Sequence, residues 1–527
     1  MNKLVPFFVI ALLAGACREA DAPSGGTFFP GTTNPLTYTD IPDNDVIRVG
    51  EDYYMVSTTM FFTPGAPIMH SRDLVHWRIV SYIYDLLEDD EIYRLEDGKN
   101  AYGSGQWATS LRYHEGWYYA LFVANDQKKS YLYKTQDLVN GPWERFVFDK
   151  WFFHDPGLLF DDGRLWVIWG NGDLRLTELK ADGSGVLGGQ EAVIHAPKEG
   201  WGLRAEGAHF YHIDEYYYVI EIDWPKDDIR QVTCWRSKRL EGPYESKVVL
   251  HGTLDGREKD GIAQGPLVDS PDGRWWAIQF QDHGAVGRIP TLQPVTWEDG
   301  WPVMGDKGKP LQNLADTLPE DPEGNYVWAS DEFDSPQLAL VWQWNHKEPD
   351  HWCLQDGLLQ IQAQAAETLH EARGTLTQRT VGPRCESIVR LEGKDLRPGD
   401  EAGLCAFQSH SARIGLKVAE NGSRSVVLTE AAPSLKGSQE KVVFNAPLSS
   451  SCVYLKIRYV FTPVEEGEKE DTAFLSYSED GVSWTEPDYT LSMRYTLDYF
   501  IGYRSGLYCF GSGGGTAAFD WFHQRVI

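Results

Sequence analysis

The sequence is short of positive charge. Its 527 residues include 48 lysines and arginines against 77 aspartates and glutamates, so the formal net charge is −29. A surface this acidic repels nucleic acid and anionic lipid instead of releasing counterions from them. The charge balance therefore excludes a protein that binds nucleic acid or an anionic membrane surface.

Cysteine is also scarce and lacks any motif. The chain has seven cysteines, none of them in a C-x-x-C pair or in a cluster with histidine. Five of them lie in the second half of the chain, where an odd number cannot all pair. The spacing provides no metal-ligand set, and we expect most of these residues to be buried free thiols.

Long hydrophobic runs are missing, apart from a short one at the start. Lys3 precedes the apolar residues 4–13, and the small residues 14–16 are followed by Cys17. The run is too short to span a bilayer of about 30 Å. The pattern resembles a bacterial lipoprotein signal, which predicts a signal peptide over 1–16, lipidation of Cys17 and a tether over 17–30. The expected location is the cell envelope, on the periplasmic face or the outer surface, with ordinary secretion as the alternative.

Helical periodicity is absent from the first half, where an aromatic pattern recurs instead. Five times between residues 50 and 280, a turn with Gly, Asp or Glu leads into an aromatic-rich strand, and another short apolar run precedes each copy. Equivalent positions in the five copies are Tyr54, Tyr119, Trp166, Tyr218 and Trp276. Hairpins repeated at this period are typical of a five-bladed β-propeller with four strands to a blade, because solenoid repeats are shorter and more regular.

The repeat also predicts where acidic side chains converge. Counting back 11 residues from the first and third markers reaches Asp43 and Asp155, and counting back 12 from the fourth reaches Glu206. The first strands of all blades run beside the central axis, so residues in the same phase face one another across one mouth. Asp45 lies further along its strand, points elsewhere and is interpreted as structural.

Converging carboxylates support two kinds of chemistry. One carboxylic acid that protonates a leaving oxygen and one carboxylate that activates water suffice for glycoside hydrolysis, and a third can keep the acid protonated. Three carboxylates can alternatively bind Ca²⁺, which prefers six to eight oxygens. Trp107 and Arg288 at the channel entrance fit a sugar better than an ion.

Several segments together resemble glycoside hydrolase family 43. They are Pro42-Asp43-Asn44-Asp45, the stretch 64–77, His154-Asp155-Pro156-Gly157, Ala205-Glu206-Gly207-Ala208-His209 and Gly287-Arg288. Residues 342–346 and 350–352 resemble the sandwich domain that follows the propeller in β-xylosidase and α-L-arabinofuranosidase members. Alternating strand patterns from about residue 328 onward agree with this. The all-β architecture predicted is a catalytic propeller over 31–325 and a lectin-like, concanavalin A-like β-sandwich over 326–527.

The resemblance implies catalytic roles. Asp43 would be the general base, Glu206 the general acid and Asp155 the residue that orients the acid and tunes its pKa, with inversion at the anomeric carbon.

It also implies substrate-binding residues: Trp107, Phe61, Arg288 and Arg504. Arg288 would hold Asp43 ionised. Arg504 would lie on a protruding Gly502–Gly506 turn of the sandwich that closes the pocket, at a position where relatives usually have an aromatic residue.

The family pattern differs in the fifth blade. Many relatives have a histidine there that faces the axis and often supports a metal ion, whereas this chain has Ala263 and Gln264. We therefore expect no metal and no other cofactor, with Gln264 and water in that space.

The function predicted is an exo-acting, inverting glycoside hydrolase. It would release terminal α-L-arabinofuranose, β-D-xylose or both from oligosaccharides derived from plant hemicellulose. The expected partners are these oligosaccharides, with no nucleic acid and contact with the membrane only through the lipid anchor; the oligomeric state is left open. The alternatives are a non-catalytic surface glycan-binding lipoprotein and an endo-arabinanase, which would need an open groove.

Overall fold

A computed structural model describes residues 33–314, 327–434 and 437–527. The predicted signal peptide, the lipidated Cys17 and the tether 17–30 lie outside the described residues, as does the predicted domain boundary at 325/326, and these stay predictions. The helices within the described ranges are two short 3₁₀ turns, Gly284–Val286 and Leu369–Glu371. Neither is long and apolar enough to cross a membrane.

The first half of the chain is built of strands β1 to β21. In chain order they are β1 (Asp45–Val49), β2 (Asp52–Val56), β3 (Phe62–Thr63), β4 (Gly65–Ser71), β5 (Arg78–Tyr84), β6 (Gln106–His114), β7 (Trp117–Ala124), β8 (Lys129–Thr135), β9 (Glu144–Phe148), β10 (Gly157–Asp161), β11 (Arg164–Asn171), β12 (Asp173–Leu179), β13 (Val186–His195), β14 (Trp201–Ile213), β15 (Tyr216–Pro225), β16 (Gln231–Ser237), β17 (Glu245–His251), β18 (Leu267–Asp269), β19 (Trp275–Asp282), β20 (Arg288–Glu298) and β21 (Trp301–Met304).

All of these strands except β3 form five four-stranded sheets. Their orders are β1-β2-β4-β5, β6-β7-β8-β9, β10-β11-β12-β13, β14-β15-β16-β17 and β18-β19-β20-β21. The first strands contact one another in turn, since β1 contacts β6 and β18 while β10 contacts β6 and β14. Sheets whose first strands surround one axis are the blades of a propeller, so the predicted five-bladed propeller is confirmed.

The pairing register agrees with the predicted repeat. Each aromatic marker lies in the second strand of its blade and pairs with a residue of the first strand. The pairs are Tyr54 with Ile47, Tyr119 with Arg112, Trp166 with Leu159, Tyr218 with Tyr211 and Trp276 with Val268. The five hairpins therefore present their first strands to the axis in matching phase.

The second half forms strands β22 to β35. They are β22 (Gln343–Asn345), β23 (Trp352–Gln355), β24 (Leu358–Gln362), β25 (Thr375–Arg379), β26 (Arg384–Asp395), β27 (Asp400–Phe407), β28 (Ser411–Val418), β29 (Arg424–Ser434), β30 (Gly437–Pro447), β31 (Cys452–Val460), β32 (Thr472–Ser478), β33 (Leu491–Ser492), β34 (Arg504–Gly511) and β35 (Thr516–Val526).

These strands make the predicted sandwich. One sheet has the order β3-β22-β25-β34-β27-β28-β29-β30 and the other β23-β24-β35-β26-β31-β32-β33. Alternation along β31 shows why they pack face to face: Val453, Leu455 and Ile457 are fully buried, while the residues between them are partly exposed. Because β3 comes from the propeller half, the two domains share a sheet.

The cysteines agree with their prediction as mostly buried thiols. All six within the described residues are free, and four of them are buried: Cys234, Cys385, Cys405 and Cys509.

Candidate active site

The turns that lead into the first strands place two of the predicted carboxylates. Asp43 and Asp155 each lie two residues before their strand, β1 and β10, and adopt left-handed backbone angles, with φ of 50° and 46°. Aspartate tolerates this region better than most residues. Gln264, with φ of 58°, has a similar place before β18. The same local geometry therefore directs side chains of three blades to one mouth.

Glu206 reaches the mouth through a β-bulge. On β14, Glu206 pairs with Ile222 whereas His209 pairs with Ile220, so β14 holds one extra residue between these two pairs. A bulge re-aims the side chains beside it. The extra residue also explains why Glu206 lies 12 rather than 11 positions before its marker.

These residues line one small cavity at the mouth of the propeller. Its volume is about 60 Å³, and its lining is Asp43, Trp107, Ala108, His154, Asp155, Glu206, Gln264, Arg288 and Phe500. Every blade contributes at least one residue, and the sandwich contributes Phe500. The structure thus brings together all three predicted carboxylates, Trp107 and Arg288.

Asp43 and Arg288 form a buried ion pair. The Arg288 Nη1 donates to Asp43 Oδ1 at 2.6 Å, and the two side chains are 4% and 8% exposed. Burial raises the pKa of Asp43, and the charge of Arg288 opposes that rise. Arg288 acts in the predicted direction, but burial outweighs it, so Asp43 is a stronger base than an exposed aspartate.

Glu206 and Asp155 are joined through His154. The Glu206 Oε2 lies 2.5 Å from Asn171 Nδ2 and 3.3 Å from His154 Nε2. The same His154 nitrogen lies 3.8 Å from Asp155 Oδ2. Asp155 Oδ2 accepts from the Gly207 N–H at 3.1 Å. The charge of Asp155 raises the pKa of His154 to about 9, so the imidazole is a cation at neutral pH.

The sandwich closes the pocket with Phe500. Its ring lies over the Arg288 guanidinium at 4.4 Å, and its carbonyl accepts from Arg288 Nη2 at 3.3 Å. Asp40 anchors this segment, because it accepts from the backbone N–H groups of both Gly502 and Arg288, at 2.9 and 2.7 Å. A Cβ at Gly502 would collide with the carbonyl of Val286, so only glycine permits this close approach.

Comparison with known proteins decides the family. The model of glycosyl hydrolases family 43 matches residues 32–302, and that of the β-xylosidase C-terminal concanavalin A-like domain matches residues 330–525. The chain belongs to glycoside hydrolase family 43. The resemblance found in the sequence motifs is thereby confirmed.

Similar proteins of family 43 cover nearly the whole chain. A putative β-xylosidase of Xylanibacter ruminicola is 32% identical over 88% of this chain and 87% of its own. A non-reducing end α-L-arabinofuranosidase of Bacteroides ovatus is 27% identical over 94% of both chains. Among solved structures, a bifunctional GH43-CE protein of Bacteroides eggerthii superposes with a TM-score of 0.87 at 39% identity. That match covers 94% of this chain but only 64% of the bifunctional one, which is the longer protein.

Arg504 does not line the family 43 pocket, so its predicted place at the mouth is wrong. It begins strand β34, is 4% exposed and hydrogen-bonds Gln343. The Gly502–Gly506 segment does not protrude. Its glycines allow tight packing instead, since a Cβ at Gly506 would lie 2.8 Å from the Cys405 sulfur. The aromatic residue that closes the pocket is Phe500, four positions earlier.

Phe61 does not line the cavity either. It is fully buried and packs against Tyr102, His346 and Tyr499, with ring centroids 4.7 to 5.6 Å apart. Its place is the hydrophobic contact between propeller and sandwich. The predicted place of Phe61 in the substrate pocket is therefore wrong, because its ring packs between the two domains instead of facing the cavity.

Three polar or aromatic residues of the site were not predicted: His154, Asn171 and Phe500. His154 could have been predicted from the sequence, because it directly precedes Asp155 on the same turn and therefore lies at the same mouth of the propeller. Asn171 ends β11, and only the bulge at Glu206 brings it within hydrogen-bond distance. Phe500 is placed by the docking of the second domain, which no local pattern encodes.

An ion-pair network joins the first strands just below the pocket. The fully buried Asp45 lies 2.7 Å from Arg112 and 3.1 Å from His209. Although burial raises it, these two neighbours lower the pKa of Asp45 to about 2. Both carboxylate oxygens of Asp45 are hydrogen-bonded within the protein. These contacts agree with the interpretation of Asp45 as a structural residue.

The described residues contain one group of three side chains spaced to hold a metal ion, namely His154, Asp155 and Glu206. A resident Ca²⁺ does not fit this group, because the cation prefers six to eight oxygen ligands and the group offers two carboxylates and an imidazole nitrogen. The expectation that the enzyme needs no metal stays a prediction.

Proposed function

We propose that this family 43 hydrolase removes single terminal pentoses, α-L-arabinofuranose or β-D-xylose, from hemicellulose oligosaccharides, with inversion. The observation that carries the proposal is the small cavity in which three carboxylates meet, lined on the sandwich side by Phe500. At about 60 Å³ it is a pocket and not a long groove. A polysaccharide chain needs such a groove, so the shape disfavours an endo-arabinanase.

The hydrogen bonds around Glu206 support its role as general acid. Asn171 and His154 both hydrogen-bond to Oε2. Oε1 is therefore the oxygen that carries the proton to the leaving group. Asp155 positions the acid through two contacts. It accepts from the N–H of Gly207, which follows Glu206 in the chain, and it lies beside the cationic His154, which contacts Glu206.

Asp43 is suited to the role of general base. Arg288 occupies Oδ1, which leaves Oδ2 to take the proton from the attacking water. The raised pKa of Asp43 increases its affinity for that proton. Once Asp43 is protonated, the charge of Arg288 favours its return to the ionised form, so the same pair serves each turnover.

The remaining lining residues contact the sugar. Trp107 lines the cavity and presents its indole ring to the sugar. Phe500 provides a flat apolar wall. The names of the similar proteins, a putative β-xylosidase and a non-reducing end α-L-arabinofuranosidase, support the two pentoses and the terminal position of attack.

The direct test is to measure rates on 4-nitrophenyl α-L-arabinofuranoside and β-D-xyloside side by side, together with product analysis on xylo-oligosaccharides and linear arabinan. We expect turnover of at least one aryl pentoside and release of monosaccharide alone. Oligosaccharide products from arabinan would establish the endo alternative. Glycan binding without any turnover would establish the non-catalytic alternative.

We also propose that the enzyme acts without a metal ion. At the axis, Arg112 already balances the negative charge of Asp45, which a metal cation could otherwise balance. Activity should survive exhaustive treatment with EDTA. Loss of turnover that Ca²⁺ restores would show that the axis does hold a metal.

Finally, we propose a lipid anchor at Cys17 and a location in the cell envelope. Metabolic labelling with a fatty acid should mark the wild-type chain and not Cys17→Ser. Release of both forms into the medium without label would support ordinary secretion.

A further inference from the structure

Two buried arginines face each other where the sandwich meets the propeller. Arg379 ends β25 and Arg504 begins β34, and the two are direct partners in the antiparallel register. They are 2% and 4% exposed. Directly opposed residues of an antiparallel pair lie on one face of the sheet, where like charges repel.

Neither arginine has a carboxylate partner in the described part of the chain. Arg504 donates to Gln343 Oε1 at 2.8 Å and lies over the ring of Phe62 at 3.9 Å. Arg379 donates through Nε to the backbone carbonyl of Asp40 at 2.9 Å. Its Nη1 is buried and has no partner. Only neutral groups therefore bind these two cations.

This arrangement differs from that of other buried arginines. Arg288 is paired with Asp43, and Arg413 in the same sheet as Arg504 is paired with Glu401 at 2.8 Å. A guanidinium does not lose its proton in proteins, and an unpaired buried charge is strongly destabilising. Burial and the charge of Arg379 both lower the pKa of Arg504, which reflects this unfavourable setting.

The local charges leave one positive charge in excess. Arg379 and Arg504 are two cations, and Asp40 is the carboxylate whose charge acts on both. The carboxylate of Asp40 is already bound to two backbone N–H groups. A single monovalent anion would balance the cluster and accept from the free Arg379 Nη1.

We propose that a monovalent anion with the size and charge of chloride binds between Arg379 and Arg504, at the junction of sandwich and propeller. The anion holds together the two strands that carry these arginines. The site lies next to Asp40, which fixes Arg288 and the Phe500 segment. Docking of the sandwich onto the catalytic domain is therefore stabilised by chloride.

The first test is thermal unfolding of the full chain in sodium chloride, sodium bromide and sodium gluconate at equal ionic strength. Gluconate serves as the anion too large for the site. We expect a saturable rise of about 3 °C or more in Tm with chloride and with bromide over gluconate. Equal Tm values in the three salts would overturn the proposal.

The second test compares two arginine variants. Arg504→Gln removes one cation but keeps a donor for Gln343, so we expect its chloride response to disappear and its Tm in gluconate to be no lower than that of the wild type. Arg413→Gln is the matched control: it removes the buried cationic partner of Glu401, so we expect lower stability in every salt and an unchanged chloride response. A full chloride response in Arg504→Gln would contradict the proposal.

A third measurement does not depend on the variants folding. Crystals of the wild-type protein grown in bromide should show an anomalous peak within hydrogen-bond distance of both guanidinium groups. Absence of a peak there, with bromide sites elsewhere, would overturn the proposal.

Discussion

The mouth of the propeller and its junction with the sandwich both bury arginine, but the charges are balanced differently. At the mouth, Arg288 has Asp43 at 2.6 Å. At the junction, Arg379 and Arg504 face each other, and their hydrogen-bond partners among the described residues are neutral. The comparison shows that the presence of a buried arginine does not by itself indicate a substrate-binding site. Its partner decides whether it serves catalysis or assembly.

The two regions also divide the work of building the pocket. The propeller supplies every ionisable group of the cavity, and the sandwich supplies one apolar ring, Phe500. Chemistry should therefore depend on the propeller mouth, while closure and fit should depend on the junction. The following variants test that division.

The largest effect is expected for Asp43→Asn. Water must be activated whichever group leaves, so kcat/KM should fall by about 10³- to 10⁴-fold on both aryl and natural pentosides. Asp45→Asn, two residues further along the chain, is the matched control: it weakens a buried ion pair, so thermal stability should fall while the folded enzyme keeps its rate. An active Asp43→Asn enzyme would remove Asp43 from the mechanism.

A leaving-group dependence is expected for Glu206→Gln. The rate on natural glycosides should drop by about 10²- to 10⁴-fold, whereas 4-nitrophenyl glycosides should lose less, because their leaving group needs little protonation. Kinetics on both substrate classes would measure this. Equal losses on the two would show that Glu206 is not the proton donor.

His154→Gln tests the charge at the back of the mouth. The pKa of His154 is about 9 in the folded protein against an ordinary value of 6.5, so its contribution to stability is fully present below pH 6.5 and lost as the pH rises through 9. Chemical denaturation should show a deficit of at most about 3 kcal/mol in the variant at pH 6, which shrinks by pH 10. A deficit independent of pH would mean that His154 acts by packing alone.

The smallest effect is expected from the sandwich side. Phe500→Ala removes the wall over Arg288 and should lower kcat/KM about tenfold, equivalent to ~1.4 kcal/mol. Leu497→Ala lies in the same segment but is 76% exposed, so its kinetics should equal those of the wild type. Unchanged kinetics in Phe500→Ala would reduce the sandwich to a structural partner.

The same division explains what could be predicted from the sequence. The blades and the phase of Asp43, Asp155 and Glu206 follow from a repeat, because every hairpin presents its first strand to one axis. The positions of Phe500 and Arg504 depend on how two domains dock, and the glycines around Arg504 have the same appearance in a protruding turn and in a tightly packed strand. His154 could have been predicted but was not: the predicted place of its neighbour Asp155 at the mouth also places His154 there.

The anomeric configuration of the first product tests the central claim most directly. That claim is that Asp43 activates water on one side of the sugar while Glu206 protonates the leaving oxygen on the other. Proton NMR during early turnover of whichever aryl pentoside reacts faster should show the anomer opposite to that of the substrate, α-D-xylose from the β-D-xyloside or β-L-arabinofuranose from the α-L-arabinofuranoside. Initial release of the same anomer as the substrate would contradict the account, since it would require a covalent intermediate instead of direct attack by water.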